Sequence, residues 1–196
     1  MEKPLDSPSA LARHVRRFTV LTESEESRLT DFFRLRTMKK REHRFSAGEV
    51  APSLVFVESG LWRLYSLDEN ASEKTLQFGL EDWWIGDWDS FTRGVPSEFA
   101  LQALEPSRAW LIDRESYEPL FEALPVMERY FRHVYQRGFA AQLRRVHLKD
   151  SRSASELYRH FSRAYPGFVD RVPQYMLASF LGFSPEFLSK IRARKE

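Results

Sequence analysis

Two stretches of this chain gather side chains that can do chemistry. Glu81-Asp82-Trp83-Trp84-Ile85-Gly86-Asp87-Trp88-Asp89 sets four carboxylates among three tryptophans. Carboxylate pairs can move protons or hold a hard cation, and indole faces can stack on sugars or bases. The commoner arrangement buries such tryptophans in a core and leaves the acids in water. No matching nucleophile or histidine pair completes a catalytic set, so the chain does not read as an enzyme. The second stretch runs from Gln174 to Arg194. Ser184 carries the hydroxyl of an N-cap, Pro185 suits the first helical position, and Glu186 puts negative charge in the first turn. Ser189 and Lys190 face outward, and the basic residues Arg192, Arg194 and Lys195 follow.

The second stretch needs two short helices to position it. The first runs from Pro173 to Phe180, with Pro173 at its first position. Gly182 then takes the positive φ of a tight turn. Leu177, Leu181, Phe183, Leu188 and Ile191 are spaced to share one small core, and Ala178 is small where the helices approach. In a helix-turn-helix the second helix enters the major groove and its first residues meet base edges. The alternative is an ordinary helical hairpin, against which the Ser184 cap, the outward Ser189 and Lys190 and the basic tail argue.

Charge supports that reading. The 196 residues carry a net charge of only +2. Yet residues 1–143 hold 19 Lys/Arg against 23 Asp/Glu, and residues 144–196 hold 11 against 5. A basic segment is the electrostatic footprint of a nucleic-acid binder. The absence of cysteine excludes a disulfide framework, a thiolate cluster and a cysteine nucleophile. The five histidines form no metal-ligand pair. Nothing in the sequence calls for a cofactor or a metal. There is no apolar run long enough for a membrane span and no signal-peptide pattern, so the expectation is a cytoplasmic protein without a membrane partner.

The rest of the chain divides into three parts. Residues 1–124 form a β-rich domain with flanking helices. After a lead-in over residues 1–7, Ala10–Phe18 reads as a helix. Thr22-Glu23-Ser24-Glu25 is a capping box opening another that carries Leu29, Phe32 and Phe33. Seven short apolar or alternating runs follow: Met38–Phe45, Leu54–Val57, Leu61–Leu67, Lys74–Phe78, Trp83–Trp88, Phe99–Leu104 and Ala109–Ile112. Turn residues separate them, which predicts an antiparallel sandwich or barrel. Asp113 caps a helix over Glu115–Glu122. Residues 125–150 form one long helix, on which Met127, Phe131, Val134, Gly138 and Ala141 recur at intervals of four and three. That is the seam of a coiled-coil-like pair and points to a homodimer. Residues 151–196 hold a helix capped by Ser153 or Ser155, a Pro166-Gly167 break and the helix-turn-helix.

In this order the chain resembles the Crp/Fnr regulators. The resemblance rests on Gly48-Glu49 in the first sheet turn, on Leu54-Val55-Phe56-Val57-Glu58-Ser59-Gly60, on Arg63-Leu64-Tyr65 and on the helix-turn-helix. It implies an α+β protein: an N-terminal antiparallel β-roll of jelly-roll type, like a cyclic-nucleotide-binding domain, then a long dimerisation helix and a C-terminal helix-turn-helix. It implies a homodimer that binds double-stranded DNA at a palindromic operator and regulates transcription. It puts Pro185, Glu186 and Lys190 on base-reading positions, with Ser184 and Ser189 beside them. Glu186 would accept from cytosine N4 and Lys190 would donate to guanine. Arg171, Arg192, Arg194 and Lys195 are the candidate phosphate contacts.

Two departures from the family pattern carry consequences. The family's cyclic-nucleotide binders have G-E followed by R-[ST]-A. Here the counterparts are Gly86-Asp87 and Ser97-Glu98-Phe99, so the phosphate arginine is missing and Glu98 is repulsive. Gating by cAMP is therefore not expected, although Arg93 stands near in sequence. The chain also reaches Glu196 without a clear wing after the second helix. A small-molecule effector, unidentified, would bind near Trp62, Phe78, Trp83, Trp84 and Arg93. The competing reading is a small-molecule-sensing β-roll whose terminal helices make protein contacts.

Overall fold

The computed structural model describes residues 9–193. Ser9 caps α1 (Ala10–Val15) by accepting from the Ala12 N–H. Thr22 and Glu25 form the expected reciprocal capping box at the start of α2 (Glu23–Phe32). The chain then enters β1 (Phe33–Met38) without a loop. Phe33 therefore does not sit on the helix face the sequence suggested; it pairs with Ile112 across the sheet and is buried.

The remaining strands are β2 (His43–Phe45), β3 (Ser53–Ser59), β4 (Trp62–Leu67), β5 (Glu73–Gly79), β6 (Trp84–Ile85), β7 (Phe99–Ala103) and β8 (Ser107–Asp113). They form two four-stranded sheets ordered β1-β8-β3-β6 and β2-β7-β4-β5. Jelly rolls close their edges with two such sheets, and the expected β-roll is present. Between β6 and β7 lies α3 (Trp88–Arg93), where the sequence suggested that strand continued to Trp88. The switch follows from Asp87, whose side chain accepts from the Asp89 and Ser90 N–H groups and caps a helix.

Leu54, Val55, Phe56, Val57, Ile85, Leu101 and Ile112 are fully buried; successive residues of β3 point to opposite faces of its sheet, and Phe56 lies against His14 of α1 and Trp84 of β6. Gly60 shows how tightly this part is built. Its φ is +99°, and a Cβ there would lie 2.1 Å from Ser107 Oγ.

Six helices follow the strands among the described residues: α4 (Arg114–Ala123), α5 (Val126–Ser151), α6 (Ala154–Ala164), α7 (Phe168–Arg171), α8 (Gln174–Leu181) and α9 (Pro185–Ala193). Asp113 precedes α4 but makes no side-chain cap; its carboxylate instead faces Arg34 at 3.6 Å and Arg44 at 3.5 Å. Ser153 and Glu156 build the capping box of α6. Pro173 is the N-cap of α8 rather than its first residue, with ψ 135° outside the helical range.

The chain separates into two compact units. The first runs to Leu64 and resumes over Phe78–Gln136; the second joins Tyr65–Gln77 to the chain from Arg137 onward. The long helix α5 thus serves both units, and the tip of the β4–β5 hairpin belongs with the C-terminal helices. No helix among the described residues is long and apolar enough to cross a membrane.

Candidate nucleic-acid interface

Of the residues whose spacing implied a shared core for α8 and α9, Leu177, Ala178, Leu181 and Leu188 are buried, whereas Phe183 and Ile191 are half-buried. Ala178 and Leu188 have no exposed surface, so any larger side chain at 178 would push the helices apart. Gly182 ends α8 in the left-handed region, at φ 84° and ψ 30°. The Phe183 N–H bonds the Ala178 carbonyl at 2.8 Å and the Gly182 N–H bonds the Ser179 carbonyl at 3.1 Å. This double closure satisfies carbonyls that the helix end would leave bare. A Cβ at Gly182 would meet nothing closer than Lys149 Nζ at 3.6 Å, so the glycine is required for its backbone angle and not for space.

Ser184 caps α9 by accepting from the Phe187 N–H at 3.2 Å. The Glu186 carboxyl is held below its ordinary range first by its own backbone N–H, then by the Ser184 hydroxyl, with Lys190 adding a smaller attraction. Ser184 and Glu186 thus bind the helix end itself. Ser184, Pro185, Glu186, Ser189 and Lys190 are all exposed, so the structure brings the five expected base-reading residues to one accessible stretch. Phe187, which the sequence reading passed over as a base contact, is 47% exposed among them. Arg171 and Arg192 are half-buried on α7 and α9. Arg194 and Lys195 lie outside the described residues.

The edge of β5 docks against these helices within the same unit. Ser179 Oγ of α8 accepts from the Thr75 N–H at 3.0 Å and donates to the Glu73 carbonyl at 3.3 Å. Arg145 of α5 donates to the Leu76 carbonyl and sets its guanidinium 4.3 Å from the centre of the Phe180 ring. Burial pulls the Arg145 pKa down. A strand edge that would otherwise offer bare N–H and C=O groups is thereby covered.

Helix α5 carries two apolar stripes. Met127 and Phe131 belong to the core of the β-roll, and Val134 packs against that core. Met127 and Phe131 are therefore turned away from any second chain. Gly138 and Ala141 are exposed, and nothing lies within 4 Å of where a Gly138 Cβ would stand. The second stripe is Tyr135, Phe139, Leu143 and Val146, exposed by 42%, 69%, 56% and 58%. These residues recur every four, four and three positions along one face.

In the β-roll, the segments corresponding to G-E and R-[ST]-A are bonded to each other. Ser97 Oγ donates to Asp87 Oδ2 at 2.6 Å and accepts from the Phe99 N–H at 2.9 Å. Asp87 also caps α3, and both side chains are buried. Glu98 is exposed. Arg93 pairs with Asp89 at 3.1 Å on the open face of α3, so its charge is engaged away from the Asp87–Ser97 pair. Of the five residues suggested for an effector pocket, Trp62, Phe78 and Trp84 are buried. Trp83 is 36% exposed and Arg93 lies at the surface. Trp62 Nε1 is buried with no hydrogen-bond acceptor. Trp84 Nε1 donates to the Tyr130 hydroxyl at 2.7 Å.

The carboxylates among the tryptophans are each tied into structure. Glu81 accepts from the Gly60 N–H, Asp82 pairs with Arg17, Asp87 caps a helix and Asp89 holds Arg93. Among the described residues no group of three or more His, Cys, Asp or Glu could hold a metal.

Comparison with known proteins places this architecture. Residues 35–123 match the family described as the cyclic nucleotide-binding domain. No curated protein matches the chain. Solved structures do. The c-di-GMP-responsive global regulator CLP of Xanthomonas campestris is 16% identical with a TM-score of 0.67, covering 86% of this chain and 88% of that one. FixK2 of Bradyrhizobium japonicum is 17% identical at a TM-score of 0.64, covering 83% of each chain. The Thermus thermophilus catabolite activator protein is 21% identical at 0.55, covering 90% of this chain and 84% of that one. What this chain shares with them is the fold, which it also shares, at 17% identity and a TM-score of 0.66, with a structure from Eubacterium rectale described as a transcriptional regulator of the Crp/Fnr family.

Proposed function

We propose that this chain, built on the Crp/Fnr fold, is a sequence-specific DNA-binding regulator of transcription that works in the cytoplasm as a homodimer. The observation that carries the proposal is the α8–Gly182–α9 pair, which leaves the N-terminal half of α9 exposed within a basic segment. Residues 184–190 would enter the major groove, and Arg171 and Arg192 would meet phosphates. Arg194 and Lys195 remain candidates by charge.

The second copy would pack on Tyr135, Phe139, Leu143 and Val146. Three of these four are more than half exposed, which is costly for a lone chain and natural for a helix that pairs with its copy. Two-fold symmetry then sets two half-sites about 34 Å apart, roughly ten base pairs.

Cyclic nucleotide is not the gate in this proposal. The Asp87 carboxylate and Ser97 hydroxyl are satisfied by each other and by backbone, and a phosphate brought there would meet a buried negative charge without its arginine. Any effector would be another small molecule, for which Trp62 Nε1, buried without an acceptor, would be a polar handle.

Binding of random-sequence duplex DNA, followed over a range of salt on a chain whose mass is checked by light scattering, tests the proposal. The expected result is dimer binding that weakens steeply with salt. A dimer with no salt-sensitive affinity would remove the DNA reading. A thermal scan with cAMP should show no shift; clear stabilisation would overturn the closed-cassette reading.

A further inference from the structure

We propose that Phe187 reads the 5-methyl group of a thymine in each half-site. The inference rests on the DNA-binding reading and names one of its specificity contacts.

The residues at the start of α9 divide by what their side chains already do. Ser184 accepts from the Phe187 N–H. Glu186 is held by its own N–H and by the Ser184 hydroxyl. Pro185 has no donor. Phe187 is different: it is a large apolar ring, 47% exposed, beside Leu188, which is completely buried. The helix does not need Phe187 for its own core, because Leu188 fills that role. The ring meets Phe183 edge-on, with centroids 5.7 Å apart and planes at 82°, an arrangement that aromatic pairs favour.

The chemistry of the groove selects the target. The major-groove edges of adenine, guanine and cytosine offer donors and acceptors, and a phenyl ring meets them only by leaving them unpaired. The thymine 5-methyl is the apolar group on that floor, and apolar side chains contact it. A ring three residues into a recognition helix, in edge contact with Phe183 and flanked by Glu186 and Lys190, supplies apolar surface between two polar readers. Transfer of one methyl group out of water corresponds to about a fourfold preference per half-site, and about fifteenfold when both half-sites act.

The test uses the full chain and its selected operator, with thymines replaced by deoxyuridine in symmetric pairs. The replacement removes the methyl and nothing else, so it needs no change to the protein. Fluorescence anisotropy should find one symmetric thymine pair whose replacement weakens binding about fifteenfold. Phe187→Ala should bind the thymine operator about as weakly as the unaltered chain binds the deoxyuridine operator, and should not distinguish the two. Lys190→Ala should lose affinity yet keep the thymine preference. A selected palindrome whose binding is indifferent to every thymine methyl overturns the role of Phe187 and leaves the regulator reading standing. So does a Phe187→Ala chain that still prefers thymine, or one that keeps its DNA affinity and loses self-association. A dimer that selects no sequence at all removes both.

Discussion

Replacing Tyr130 by phenylalanine removes one oxygen from the centre of the β-roll unit and should be among its most damaging conservative changes. Tyr130 lies on α5 and has no exposed surface. Its hydroxyl accepts from Trp84 Nε1 at 2.7 Å and lies 2.7 Å from His14 Nδ1. Burial pushes the phenol pKa well up, so the hydroxyl keeps its proton. An indole N–H only donates, so the hydroxyl accepts from Trp84 and keeps both its proton and a second lone pair for His14 Nδ1, whose role follows from its tautomer. One oxygen thus joins α1, β6 and α5. Phenylalanine keeps the ring, so no cavity opens. It takes from the Trp84 indole N–H and from His14 Nδ1 the hydroxyl that each bonds, and each buried bond lost in this way costs about 1–3 kcal/mol. Both partners are slightly exposed, at 7% and 8%, which places the sum near the lower half, at about 2–4 kcal/mol. Urea unfolding with an unchanged m-value reads this directly. The Trp84→Phe, Tyr130→Phe double variant should lose less than the sum of the two single losses, because they share one bond. A loss below about 0.5 kcal/mol for Tyr130→Phe, or strict additivity in the cycle, would refute the three-way bond.

Four further outcomes follow from the same geometry. Gly182→Ala should destabilise the second unit by about 1–2 kcal/mol, the cost of a Cβ in the left-handed region, read as a lower urea midpoint with α-helical content retained by circular dichroism. Ser179→Ala should deprotect the Thr75 amide in hydrogen exchange, since Ser179 Oγ is the acceptor that amide uses; unchanged protection would show that the docking of β5 does not depend on it. Leu143→Asp should turn a dimer into a monomer by light scattering, because it buries a charge in the proposed seam, whereas a persistent dimer would remove that stripe from the interface. Ser153 and the Thr-capped α2 share a pH signature. The Glu156 carboxyl lies below its ordinary value of 4.5, chiefly through the Ser153 side chain, so its stabilisation is present above that value and is lost as the pH falls through the lowered pKa. Ser153→Ala should therefore cost more above pH 5 than in acid, where only the loss of the Ser153 Oγ cap on the Glu156 N–H remains.

Much of this architecture is written in local signals. The Thr22–Glu25 and Ser153–Glu156 boxes form because each depends on residues three apart and nothing else. Gly182 and the buried Leu177, Ala178 and Leu188 likewise follow from spacing. The errors arise where distant partners decide. Phe33 looks helical beside Phe32 until β8 is there to pair with it. Trp83–Trp88 looks like one strand until Asp87 turns its carboxylate back on the next two amides. On α5 two apolar stripes overlap in sequence, and Met127 and Phe131 were the regular ones. Only the aromatic packing of Phe131 against Trp84, Tyr117 and Phe121 shows that this stripe is used by the roll. The sequence reading passes over Tyr135, Phe139, Leu143 and Val146, because spacing alone does not tell which stripe stays exposed. The docking of β5 on Ser179 joins residues 104 apart and leaves no sequence pattern at all.

The central claim is that α9 reads base sequence as part of a two-fold dimer. Selection of random duplex DNA by the purified full chain at moderate salt, with its dimeric mass confirmed, tests that claim most directly. The account predicts an enriched palindrome with half-sites about ten base pairs apart, and a Glu186→Ala chain that relaxes one position within each half-site. Salt-sensitive retention with no enriched sequence, from a confirmed dimer, would contradict it.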